Sequence, residues 1–161
     1  MNQPKTPLHV AHALRTAADE IVKPTFPRCY GDFARAEDGS NVQPNDPAAT
    51  EWCATGRILH LLGFEATYDL LAVPDLHKIR CSQHPDDIIK HGDAGFYDAA
   101  TAISALWVPF DKRMPHEAAA RMRRIATRIE TYVNDMEAPN APQEPRHRAT
   151  QNTPPHAHAT R

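Results

Sequence analysis

NDPAATEWCATGRILHLLG, residues 45–63, carries the strongest helix signal in the chain. Asp46 is a capping residue and Pro47 follows it at the first helical position, where a missing N–H costs nothing. Gly63 sits where a left-handed C-cap closes a helix. On a 3.6-residue wheel, Ala48, Ala49, Trp52, Cys53, Gly56 and Leu59 share one face, and Ala54, Ile58, Leu61 and Leu62 cover most of the other. Only the sectors around Thr50 and Arg57, and around Glu51 and Thr55, remain polar. A helix apolar nearly all round is buried on two sides. The spacing therefore predicts a buried central helix at about 46–62, with Gly56 beside Trp52 marking close approach of another backbone.

Working toward the N-terminus, residues 25–44 change character. Pro24 and Pro27 enforce an extended approach, and two short runs, 29–34 and 41–43, flank Glu37-Asp38-Gly39-Ser40. An Asp-Gly between such runs predicts a small β-hairpin over about 29–43. Two strands alone are marginal, so the hairpin must pack on helices. Before it, Thr6 and Pro7 open a helix to about Val22, with Val10, Leu14, Ala17, Ala18 and Ile21 as its stripe. Lys23-Pro24 ends it, because a residue before proline avoids helical geometry.

Toward the C-terminus, a short helix is expected within 65–72 and a polar loop over 75–93. A helix with Phe96, Ala99, Ala100, Ile103 and Leu106 on one face follows, ended by Trp107-Val108-Pro109. Pro115 opens the longest helix, to about Met136, with Ala118, Ala119, Met122, Ile125, Ala126, Ile129, Val133 and Met136 in register. The fold expected is mainly α: four to five helices around the central one, with one hairpin, as a single domain over 1–137. Residues 138–161 lack large aliphatic side chains and are read as a disordered tail, because such composition cannot offset ordering entropy. One Glu against three Arg gives that tail +2, so the rest of the chain carries −4 of the net −2.

A net charge of −2 argues against a protein that coats nucleic acid. No run of 18 apolar residues is present to span a bilayer, and the first twenty residues turn amphipathic without an apolar signal core. Three cysteines, Cys29, Cys53 and Cys81, form no paired spacing and read as reduced thiols of a cytoplasmic protein.

From residue 8 to 63, and more loosely from 95 to 133, the chain resembles a family of small domains of unknown function from bacterial and phage genomes. Gly31, Phe33, Ala34, Arg35, Asp38, Gly39, Pro47, Trp52, Cys53 and Gly56 carry the resemblance, as a Gly-x-Phe-Ala-Arg segment, an Asp-Gly turn, a proline and Trp-Cys-x-x-Gly. Arg57, where the family has a small residue, and Pro109-Phe110-Asp111, where it has an Asn-Asp pair, depart from the pattern. The resemblance implies a fold and a phage or bacterial setting, with a host-cytosol location if phage-encoded; it implies no catalytic residues.

Three groups of residues carry possible chemistry. His77, Cys81 and His84, spaced H-x3-C-x2-H, with His91 or Asp93 as a fourth, match the mixed N and S ligands of zinc; a polar surface loop is the plainer reading, and without metal Cys81 would be the most accessible thiol. Arg121, Arg124 and Arg128 share one helical face and could meet phosphate, although Glu117 lies four residues before Arg121, an ordinary helix-surface pair. Arg57 and Arg35 are either ligand-binding or salt-bridged, with Asp32 or Asp38 the expected partner of Arg57. Cys53 reads as a small buried residue beside a tryptophan anchor. No GxGxxG, P-loop, GxSxG or HExxH pattern occurs.

The leading expectation is thus a non-enzymatic accessory or interaction protein acting on a cytosolic protein or a small anionic partner, without a cofactor. A metal-binding domain or metal-dependent enzyme using the 77–93 loop, and a weak nucleic-acid binder using the Arg stripe and tail, are the alternatives.

Overall fold

A computed structural model describes residues 4–82 and 96–138. Among these are five α-helices and two small antiparallel sheets, one of three strands and one of two; the helices are α1 (Pro7–Ile21), α2 (Ala54–Leu62), α3 (Ala99–Ser104), α4 (Trp107–Asp111) and α5 (Pro115–Glu137). The chain is mainly α, as its periodicity predicts. The expected tail falls almost wholly on residues 139–161, outside the described residues.

Helix α1 begins as its sequence dictates: Pro7 is at the first turn, and the Thr6 hydroxyl accepts the His9 N–H. Its stripe of Val10, Leu14, Ala17, Ala18 and Ile21 is buried, and packs mainly on α5 through Ala118, Ala119, Met122, Ile125, Ala126 and Ile129. The many alanines let the two helices approach closely. Arg15 pairs with Glu130 and Asp19 with Arg123, so residue numbers rise along one helix as they fall along the other, and the two run antiparallel. Helix α5 has 23 residues and α1 has 15, and this pairing leaves the first turns of α5 running past the end of α1. Val133 is only half-buried and Met136 is 61% exposed, although both continue the apolar stripe.

The expected central helix is divided. It begins at Ala54 rather than Asp46, and Ala49–Trp52 is instead a strand, β3. Asp46-Pro47 has two readings, N-cap and N1 of a helix or positions i and i+1 of a β-turn. The turn wins: the Ala49 N–H donates to the Asp46 carbonyl at 3.0 Å and the Asp46 carboxylate accepts the Ala48 N–H at 2.8 Å. Strand β1 (Ala34–Ala36) supplies the reason, since it has two sides to satisfy. Strand β2 (Asn41–Val42) takes one, through Ala34↔Val42 and Arg35↔Asn41. Strand β3 takes the other, through Ala34↔Trp52 and Arg35↔Glu51, for a sheet order β2-β1-β3. The hairpin read from Asp38-Gly39 is present, with Gly39 at φ 82°, and it acquires this third strand from the segment assigned to the helix.

Cys53 ends β3 and caps α2, its thiol accepting the Gly56 N–H at 3.3 Å. Gly63 closes α2 in the left-handed region, φ 72°, as its position predicts. Ile58, Leu59 and Leu62 fill the core, and the buried Thr55 hydroxyl donates to the Ile103 carbonyl at 3.1 Å, tying α2 to α3.

The 65–72 segment forms a 3-10 helix, Thr67–Ala72, burying Leu70 and leaving Tyr68 and Leu71 exposed. Residues 75–82 of the expected 75–93 loop have more order than their polarity suggests, and residues 83–93 lie outside the described residues. Leu76–Lys78 makes a 3-10 turn, and β4 (Arg80–Ser82) pairs antiparallel with β5 (Phe96–Asp98). Phe96 therefore lies in a strand, and the helix after it starts at Ala99, where the Asp98 carboxylate accepts the Thr101 N–H. Trp107-Val108-Pro109 does not end the helical region. Pro109 lies in the first turn of α4, where its missing N–H has no helical partner to lose.

Candidate functional site

A cleft of about 420 Å³ opens between the hairpin and α4, lined by Gly31, Asp32, Phe33, Ala34, Asn41, Val42, Cys53, Trp107 and Asp111. Each wall is fixed by a separate set of contacts. Gly31, at φ 85°, turns the chain before β1, and its N–H donates to Asp111 Oδ1 at 3.0 Å. That bond joins residues 80 positions apart and ties the hairpin to α4. Asp32 is held by both neighbours: Oδ2 accepts Arg35 Nε and Nη2 at 3.0 and 2.6 Å, and Oδ1 accepts the Asn41 amide at 2.8 Å. The Asp32 hydrogen bond is also the main reason the Arg35 guanidinium lies above its ordinary pKa.

On the other wall, α4 is anchored by buried Phe110, which stacks on Tyr30 with centroids 5.4 Å apart and meets Phe26 edge-on at 6.3 Å. Trp107 and Asp111 stand one helical turn apart and both reach the cleft. Trp107 stays 44% exposed, a large aromatic surface left to solvent at the cleft wall. At the base, Cys53 is buried beneath the Phe33 strand approach, where its N–H donates to the Phe33 carbonyl at 3.1 Å. Burial pushes its thiol up to about 12, despite the Gly56 N–H aimed at the sulfur. Cys29 is likewise buried and pushed up to about 11. A helix N-terminus ordinarily lowers a thiol pKa; here desolvation is the larger effect.

The site residues expected from sequence do not converge on this cleft. Arg35 supports its rim through Asp32. Arg57 pairs with Glu20 of α1, at 2.7 Å, rather than with Asp32 or Asp38, and its guanidinium lies 4.9 Å from the Trp52 ring centroid. The reason is the division of the expected helix: starting α2 at Ala54 turns Arg57 toward α1, where Glu20 is half-buried. Arg121 pairs with Glu117 at 2.7 Å, and Arg128 Nε donates to the Arg80 carbonyl at 3.1 Å. Arg124 is exposed on the same helix.

Of the expected zinc ligands, His77 is exposed on its 3-10 turn, while Cys81 is buried in β4 with its thiol pushed up to about 11 by desolvation. Cys81 is thus not the accessible thiol its polar neighbours suggest: strand pairing turns it inward. His84 and His91 lie outside the described residues. Among the described residues, no group of three or more His, Cys, Asp or Glu side chains is arranged to hold a metal ion, and no helix is long and apolar enough to cross a membrane.

Sequence reasoning missed Asn41, Trp107 and Asp111. Their only shared signal was position beside a turn or proline, and nothing local joins segments so far apart. No protein-family model matches the chain, and neither do curated proteins or solved structures.

Proposed function

We propose that the protein is an interaction protein of phage or bacterial origin that binds a protein partner through the cleft between the hairpin and α4. The observation that carries this reading is Trp107, a tryptophan 44% exposed on the wall of a braced cleft. Tryptophans in such positions are frequent anchors of protein interfaces. Rigidity adds to it, since both walls are held by the Gly31–Asp111 and Asp32–Arg35–Asn41 hydrogen bonds, and a pre-formed surface loses less entropy on binding. Cys53 is the lining side chain of nucleophile type, and a thiol raised to about 12 stays protonated near neutrality, which favours recognition over covalent chemistry. The segment resembling the phage and bacterial family supplies Gly31, Phe33, Ala34 and Cys53 of the cleft.

The test is capture from a bacterial lysate with the wild type, Trp107→Ala and Tyr68→Ala in parallel, followed by amide exchange on the captured complex. Tyr68 is an exposed aromatic outside the cleft. Loss of the same partner with Trp107→Ala only, and new protection at residues 31–42 and 107–111, is the expected result. Equal capture by all three proteins would remove the reading.

A further inference from the structure

The polar side chains of the cleft have an imbalance of charge. Asp32, Asn41 and Asp111 are the charged or amide residues that line it. The Asn41 amide nitrogen gives one N–H to Asp32 Oδ1, an acceptor, and this fixes the orientation of the amide. What is left is its carbonyl oxygen and the second amide N–H. Asp111 gives Oδ1 to the Gly31 N–H, and Oδ2 has no hydrogen-bond partner among the described residues. Asp32 is neutralised by Arg35. The remaining side-chain donors, one Asn41 N–H, the Trp107 indole N–H and the Cys53 thiol, are all neutral, whereas the uncompensated charge is that of Asp111. Arg113, two residues on, does not line the cleft; its guanidinium lies over the Tyr30 ring at 5.8 Å.

An anionic group entering here would meet a carboxylate and a carbonyl with no cation to receive it. A neutral apolar group would desolvate both acceptors without replacing their water hydrogen bonds. A cationic donor satisfies them, and Trp107, one turn from Asp111, adds an aromatic face to which cations are attracted. Phe33 and Val42 supply apolar surface for an aliphatic stem of the kind that lysine and arginine bury while keeping their heads hydrated or paired.

We propose that the cleft receives a lysine or arginine side chain of the protein partner, with its stem against Phe33, Val42 and Trp107 and its cationic head at Asp111 and Asn41. This rests on the interaction-protein reading and names the chemistry of that contact.

The experiment titrates the isotope-labelled full chain with four probes: the blocked tripeptides Ala-Arg-Ala, Ala-norleucine-Ala and Ala-Glu-Ala, and the free amine agmatine. The Trp107 indole and the Asn41 side-chain amide report on the cleft. The arginine peptide should shift both and bind about tenfold or more tighter than the norleucine peptide, with its affinity falling as salt is raised. Asp111→Asn keeps an oxygen for the Gly31 N–H, so the fold is retained, and should weaken arginine-peptide binding by about tenfold. Norleucine binding as tight as arginine, tighter glutamate binding, or an unaffected Asp111→Asn would each overturn the cationic contact while leaving a docking cleft. Agmatine binding tighter than the peptide would overturn the protein source of the cation. A cation that binds the cleft, together with lysate capture insensitive to Trp107→Ala, would instead remove the interaction reading and keep the cation site.

Discussion

Gly56 lies so close to the Phe33 carbonyl that a Cβ on it would sit 1.8 Å from that oxygen. The same carbonyl accepts the Cys53 N–H, so the start of α2 is pressed onto the chain entering β1 with no side chain between them. The obstacle is backbone, and no rotamer change relieves it. Gly56→Ala should therefore destabilise by about 1–3 kcal/mol or more, the range of overpacked cores. Chemical denaturation checks this, and an unchanged midpoint would mean the two segments are not in contact.

Trp52 is the side chain around which the sheet-to-helix junction is built. It is 9% exposed, its indole N–H donates to the Pro44 carbonyl at 3.1 Å, and His60 and Arg57 lie against its ring. Trp52→Ala should lower stability by roughly 3–5 kcal/mol, as other large core truncations do. Trp52→Phe should fall in between, because it keeps most of the packing and leaves the Pro44 carbonyl to His60 alone.

The Arg57–Glu20 pair joins α2 to α1, with side chains only 18% and 27% exposed. A double-mutant cycle with Arg57→Met and Glu20→Gln should give a coupling of about 0.5–3 kcal/mol, the range for contacting groups. Coupling near zero would show that the two side chains do not meet in solution.

Glu130 carries a pH dependence whose sign is fixed. Its hydrogen bond with Arg15 holds the carboxyl below its ordinary 4.5. A depressed folded-state value contributes stability that is present above 4.5 and is lost as pH falls through the lowered value. Both side chains are over a third exposed, 42% and 36%, so solvent screening keeps the contribution below about 1 kcal/mol. The stability difference between the wild type and Glu130→Gln should be measurable at pH 7 and shrink as pH falls below 4.5 and through the lowered value. A difference that does not change with pH across the acid range would assign the effect to packing.

All three thiols should resist alkylation in the native state. Cys29, Cys53 and Cys81 are buried, and desolvation pushes them up to about 11, 12 and 11. Labelling at pH 8 should be slow at each site and accelerate together in denaturant. Rapid native labelling confined to Cys81 would show that the β4–β5 pairing opens independently of the core.

The sequence by itself determined the elements whose signals are local. Thr6-Pro7 and the stripe through Ile21 specify α1, Pro115 and the run to Ile129 specify α5, and Gly39 and Gly63 mark a tight turn and a helix end, because periodicity and capping act within one or two turns of chain. Tertiary structure decided residues 46–52, where Asp46-Pro47 suits a helix start and a β-turn equally and the unfilled side of β1 selected the turn and strand. Moving the start of α2 to Ala54 then sent Arg57 to Glu20 instead of the hairpin. Pairing of β4 with β5 turned Cys81 inward against the polarity of its neighbours. The cleft is held by contacts such as the Gly31–Asp111 hydrogen bond and the Tyr30–Phe110 stack, each across 80 positions, and contacts at that separation leave no periodic trace along the chain.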